Sequence, residues 1–149
     1  MDRLHALNSK EAREISSITK KQWNADFDFS LYAIYINNDN KIFIVSKDVQ
    51  NIDFRKLRVN SLGLYFGEMS NSTLRLSIEG SQIIGKHAKN NILDLTDEQE
   101  TLWLSGKDLD MHSDSVRYVI IRHGDDFLGC GKLTGNKLLN HVPKTRRIK

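Results

Sequence analysis

The chain has 149 residues, 39% hydrophobic and 28% charged, a size and composition that suit one globular domain or two small joined ones and exclude a disordered chain or a fibrous repeat. No apolar run approaches the ~20 residues that span a bilayer, and the opening Met1–Asn8 lacks the basic-then-apolar order of a secretory leader. The net charge of +3 hides an uneven spread: acids dominate Leu93 to Asp126, whereas Phe127 to Lys149 holds Lys132, Lys137, Lys144, Arg146, Arg147 and Lys149 with no acid at all. A segment free of carboxylates attracts polyanions, because nothing nearby neutralises its cations.

Asn8 and Glu11 have the spacing of a capping box, which predicts a helix whose buried stripe runs through Ala12, Ile15, Ile18 and Gln22/Trp23. Phe27 and Phe29 follow in a short acidic connector. Leu31–Ile36 and Lys41–Ser46 are rich in β-branched and aromatic residues around Asn37–Asn40, whose residue types accept the left-handed backbone of a hairpin turn. A short helical turn is expected over Asp53–Leu57. A second hairpin is expected from Leu62–Gly67 and Thr73–Ile78, with Leu74, Leu76 and Ile78 on the dry face and Arg75 and Ser77 on the wet one. Glu79–Lys86 completes this unit as a short helix ending near Gly85.

Thr96 and Gln99 form a second capping box, and the helix it starts should stop at Gly106 and pack through Leu102 and Trp103. Val116–Arg122 and Phe127–Leu133 read as strands joined by a turn at Asp125–Asp126. Thr134–Asn136 then turns the chain into a last strand, Lys137–Val142. Short strands with frequent turns predict a small barrel.

Chemistry-bearing patterns are sparse. There is no glycine-rich phosphate loop, and His5, His87, His112, His123 and His141 fall at no metal-ligand spacing, so no cofactor and no metal are expected. The single Cys130 excludes an intramolecular disulfide and fits a reducing compartment, which places the protein in the cytoplasm, or the nucleus or nucleolus of a eukaryote. Cys130 between Gly129 and Gly131 has two readings: a nucleophile with His123 or His141 as base, or a small side chain in a crowded strand. The second is the commoner role of a lone cysteine. Asp125 and Asp126 are read as turn residues rather than a carboxylate pair.

The positive signal is the basic segment, in which Asn136, Asn140 and His141 are interleaved with the cations. Lysine and arginine neutralise phosphates, while asparagine and histidine can hydrogen-bond bases or 2′-hydroxyls. Pro143 stiffens the chain where the last strand is expected to end. The alternative is a protein–protein adapter whose basic tail meets an acidic partner.

Val59–Glu68, Leu74–Ile78, Ile84–Ala88, Trp103–Leu109 and Phe127–Lys132 resemble, in that order, the Nip-seven-type ribosome biogenesis family. Residues 116–147, most closely Leu128–Lys132 and Leu139–Lys144, also resemble the PUA-like tail of NOL/NOP/Sun-type rRNA cytosine methyltransferases. The resemblance implies an α+β protein, with an N-terminal α/β (pre-PUA-like) domain over 1–92 and a small PUA-like β-barrel over 93–149. It further implies a non-catalytic RNA-binding role in ribosome biogenesis, rRNA processing or RNA modification. The partners would be RNA, ribosomal or transfer, and ribosome-assembly proteins met by the N-terminal domain, with no membrane. Its pattern of basic PUA contacts, together with the interleaved polar residues, makes Lys132, Asn136, Lys137, His141, Lys144, Arg146 and Arg147 the candidate RNA contacts.

Overall fold

The computed structural model describes residues 4–47 and 63–148. The turn expected at Asp53–Leu57, the Leu62 end of the second hairpin and Lys149 lie outside the described residues.

The first half is an antiparallel sheet covered by a helix. The strands are β1 (His5–Ala6), β2 (Tyr32–Ile36), β3 (Lys41–Ser46), β4 (Leu64–Ser70) and β5 (Thr73–Leu76), paired in that order, with α1 (Ser9–Trp23) packed against them. The expected capping box starts α1: Glu11 N–H donates to Asn8 Oδ1 at 2.9 Å and Asn8 N–H donates to Glu11 Oε1 at 3.1 Å. Asn24 ends the helix in the left-handed conformation. Its buried stripe is Ile15, Thr19 and Trp23. Gln22 adds a second attachment, since its amide donates to the Leu74 carbonyl at 2.9 Å and accepts from the Leu74 N–H at 2.7 Å. A helix edge is thereby tied to the backbone of β5 as well as packed on the sheet.

The second hairpin differs from expectation at its end. Ile78 does not extend β5 but opens α2 (Ile78–Gly85), because Ser77 acts as the N-cap and accepts from Gly80 N–H at 2.9 Å. Alternating Leu74, Leu76 and Ile78 imitate one strand, and a capping serine inside that run decides otherwise.

The second half is a curled half-barrel sheet. Its strands are β6 (Ile92–Asp94), β7 (Leu109–Asp110), β8 (Arg117–His123), β9 (Asp126–Leu133) and β10 (Lys137–Leu139), in spatial order β6-β8-β9-β10-β7. β6 runs parallel to β8 and the other pairs are antiparallel. The helix α3 (Asp97–Leu104) starts from the Thr96–Gln99 capping box. It packs through Trp103, which is 0% exposed; Leu102, expected to share that role, is 46% exposed. The turn between β8 and β9 is Gly124–Asp125, and Asp126 already pairs with His123.

The last strand is shorter than the expected Lys137–Val142 and lies inside the sheet, between β9 and β7. Asn140 ends it. Its Oδ1 accepts from Val142 N–H at 2.7 Å, and its amide nitrogen donates to the Trp103 and Lys107 carbonyls at 2.8 and 3.0 Å. The chain then makes a 3-10 turn at Lys144–Arg146 and returns to α3, where Ile148 N–H donates to the Leu104 carbonyl at 2.8 Å.

β8 and β9 hold the two halves together because both their faces are buried. Ile120 and Cys130 point into the core formed by α1, the first sheet and α2, with Tyr118 packed against it. Val119, Ile121 and Leu133 point into a second core with Trp103, Leu109 and Leu138. The uninterrupted run Val119-Ile120-Ile121 is what a strand buried on both faces requires. Gly131 serves the second core by close approach: a Cβ there would lie 2.7 Å from Trp103 Cη2 and 2.8 Å from Leu138 Cδ1.

Candidate nucleic-acid interface

The sequence-predicted contacts separate into groups with different surroundings. Asn136 and Lys137 lie at the turn into β10 and at its first residue. Lys137 Nζ is 2.5 Å from Asp110 Oδ1 on β7, and Asn136 Oδ1 is 3.4 Å from His112 Nδ1. The Asp110 carboxylate holds the Lys137 ammonium above its ordinary pKa. Exposed pairs of this kind contribute little to stability, so Lys137 can exchange its carboxylate for a phosphate at little cost.

Arg147 is folded back onto its own chain. Its Nε donates to the Val142 carbonyl at 3.0 Å, and its side chain lies against Gly106, where a Cβ would sit 2.4 Å from Arg147 Cδ and Nε. Gly106 has φ +92, a conformation that favours glycine, so the helix stop and the seat for Arg147 are one residue. Lys144 is exposed and has no ion-pair partner among the described residues. Arg146 pairs with Glu79 of α2, a link from the tail to the first half.

Lys132 and His141 meet residues that the charge count did not single out. Lys132 is directly opposite Tyr118 in the β8–β9 register, and its Nζ stands 5.8 Å from the centre of the Tyr118 ring. That distance allows a cation–π interaction. His141 lies 6.4 Å, ring to ring, from Tyr118. Its Nδ1 is 3.1 Å from Arg75 Nη1, while Arg75 Nη2 donates to Glu68 Oε2 at 2.9 Å. The cluster thus spans β4, β5, β8, β9 and the tail. Arg75 had shown only as a wet position alternating with Leu74 and Leu76, a signal that places it on a surface but cannot say which surface faces another strand.

Burial pushes the His141 pKa down, and the Arg75 and Lys132 charges push it further the same way. Burial raises the phenols of Tyr65 and Tyr118. All three side chains are therefore neutral near pH 7, offering rings and hydrogen-bond donors rather than charge. Cys130 is buried beside them, and desolvation raises its thiol to about 12, so the nucleophilic reading of this residue lacks a thiolate at neutral pH. His123, the other base considered for it, is engaged with Asp97 and Glu100 at 2.7 and 2.9 Å. Among the described residues no group of His, Cys, Asp and Glu could hold a metal ion, and no helix is long and apolar enough to cross a membrane.

Fold and surface together define an α+β protein whose second half is PUA-like, with a cation-rich tail and a polar, aromatic junction between the halves. Residues 90–148 match the family model of the methyltransferase RsmF PUA domain. Over 107 residues, 71% of this chain, the sequence is 24% identical to ribosomal RNA small subunit methyltransferase F of Vibrio cholerae serotype O1, in two strains. The chain spans 22% of the length of these curated relatives. Both similarities lie on the rRNA-methyltransferase side of the resemblance seen in the sequence.

Proposed function

We propose that this chain is an RNA-binding module acting in rRNA modification or processing, one that grips RNA and leaves the chemistry to another protein or domain. The observation that carries this reading is the match of residues 90–148 to the methyltransferase RsmF PUA domain, a span that contains the whole acid-free stretch up to Ile148. The relatives are named for methylation of small-subunit ribosomal RNA, which makes structured rRNA the first class of partner to test. The first half would then meet the proteins that work on the same RNA, in the cytoplasm or, in a eukaryote, the nucleolus.

The test is a titration of labelled rRNA stem-loops over a series of salt concentrations, with the parent protein, Lys137→Gln and Lys144→Gln. Each phosphate contact removed should lower the slope of log affinity against log salt by about 1 and weaken all sequences alike. A parent protein that binds an acidic polypeptide as tightly as RNA at matched salt would sink this reading and leave the adapter in its place.

A further inference from the structure

We propose that the seam between the two halves is a binding site for one unpaired nucleotide of an RNA, built from Arg75 and Tyr65 on one side and His141 on the other, with Tyr118 and Lys132 next to His141. The inference rests on the RNA-binding reading above and names where, and in what conformation, the RNA is held.

A cavity of about 260 Å³ opens at the seam, and Lys41, Tyr65, Arg75, His141 and Arg146 are among its lining residues. Its size is below the ~300–1,000 Å³ of sites for drug-sized ligands, which suits a single base and excludes a duplex. The charge around it favours a phosphate: Lys41, Arg75 and Arg146 line it and Lys132 stands close by, against the carboxylates of Glu68 and Glu79.

The polar groups are incompletely used. Arg75 has five N–H donors; Glu68, His141 and the Tyr65 hydroxyl already engage some of them. Because Arg75 can only donate, His141 Nδ1 must accept, and the proton of the neutral ring is then on Nε2. That Nε2 is buried and has no hydrogen-bond partner among the described residues. The indole nitrogens of Trp23 and Trp103 share that state, but of the three residues only His141 lines the cavity, where a phosphate oxygen or a base carbonyl can supply the missing acceptor. Tyr65 and His141 both line the cavity, and such rings beside a cation are the kind of platform on which an unstacked base is held. Tyr118, 6.4 Å from the His141 ring and 5.8 Å from Lys132 Nζ, supports them from outside the lining. A base inside a helix cannot reach such a cavity, so the nucleotide must be in a loop or bulge, or be extruded.

The experiment compares two RNAs of equal length, one fully paired and one with a single bulged thiouridine, in binding titrations and in photo-crosslinking. The parent protein should prefer the bulged RNA roughly ten-fold, the scale of one stacked base. Lys132→Gln and His141→Gln should each remove the preference, bringing the affinities for the two RNAs together. Crosslinks on the unaltered protein should fall on Tyr65 or His141, an arm that does not depend on any variant folding. Equal binding of the two RNAs by the parent, a preference that survives both substitutions, or crosslinks confined to residues 144–148 would each overturn the proposal while leaving RNA binding intact. Failure to bind either RNA would instead overturn the reading of function on which the proposal rests.

Discussion

Arg75 on β5 and His141 beyond β10 meet across the two halves of the protein, with Nη1 3.1 Å from Nδ1. The contact needs a neutral imidazole, since a protonated ring would place two donors face to face. Burial, Arg75 and Lys132 all favour that neutral form, and only the more weakly felt Asp108 and Glu68 oppose them. The folded His141 therefore titrates below the ordinary value of 6.5. Between the two values the unfolded chain binds more protons than the folded one, so stability rises with pH there. It is complete above about pH 6.5 and falls as the pH drops towards the folded value. Imidazole NMR titration should put His141 below that value and His123, raised by its hydrogen bond to Asp97 and by Glu100, above it. Arg75→Gln should move the His141 midpoint up. A His141 midpoint at or above the ordinary value would show that the contact does not form.

Cys130 should be chemically silent in the folded protein. Its thiol is buried and held at about 12 by desolvation, so the thiolate that alkylating agents require is scarce at neutral pH. Titration with an iodoacetamide reagent at about pH 7 should modify almost nothing without denaturant and one thiol per chain with it. Rapid labelling of the native protein would reopen the nucleophile reading.

The second core should be the more sensitive to added volume at Gly131. A methyl group there meets Trp103 and Leu138, each 0% exposed, in a strand with no free side on which to relax. Gly131→Ala should destabilise by about 1–3 kcal/mol, the usual cost of overpacking. Trp103→Ala leaves a large cavity and should cost about 3–5 kcal/mol. Denaturant midpoints at a constant m-value would check both.

The Thr96 cap offers a smaller, local effect. Gln99 N–H donates to Thr96 Oγ1 at 3.2 Å, and the Gln99 side chain accepts from Thr96 N–H at 2.9 Å. Thr96→Ala leaves an N–H of the first turn without a partner and should cost about 1 kcal/mol. The same measurement on Leu102→Ala should show a much smaller loss than Trp103→Ala, because Leu102 is largely exposed.

Two cations three residues apart should behave differently. Lys144 is exposed without an ion-pair partner among the described residues, whereas Arg147 packs over Gly106 and bonds the Val142 carbonyl. Lys144→Ala should change RNA affinity and not the melting temperature. Arg147→Ala should lower the melting temperature as well, since it removes packing along with charge. Equal melting temperatures would show that Arg147 is only a surface charge.

Local signals in the sequence determined a good deal. Asn8/Glu11 and Thr96/Gln99 start their helices where the capping spacing says, because a cap depends on residues only three apart. The hairpin across Asn37–Asn40 forms for the same reason. The α+β class with a PUA-like second half was legible through short motifs spread along the chain. The tertiary structure alone decided what depends on distant partners. It ended β10 after Leu139, because Asn140 finds carbonyls on α3 and its flank, more than thirty residues back. It buried β8 and β9 on both faces, so that Cys130 and Ile120 belong to the core of the first half. It also turned Arg75, a wet position in a strand pattern, into the partner of His141, a pairing that alternation along one strand has no means of encoding.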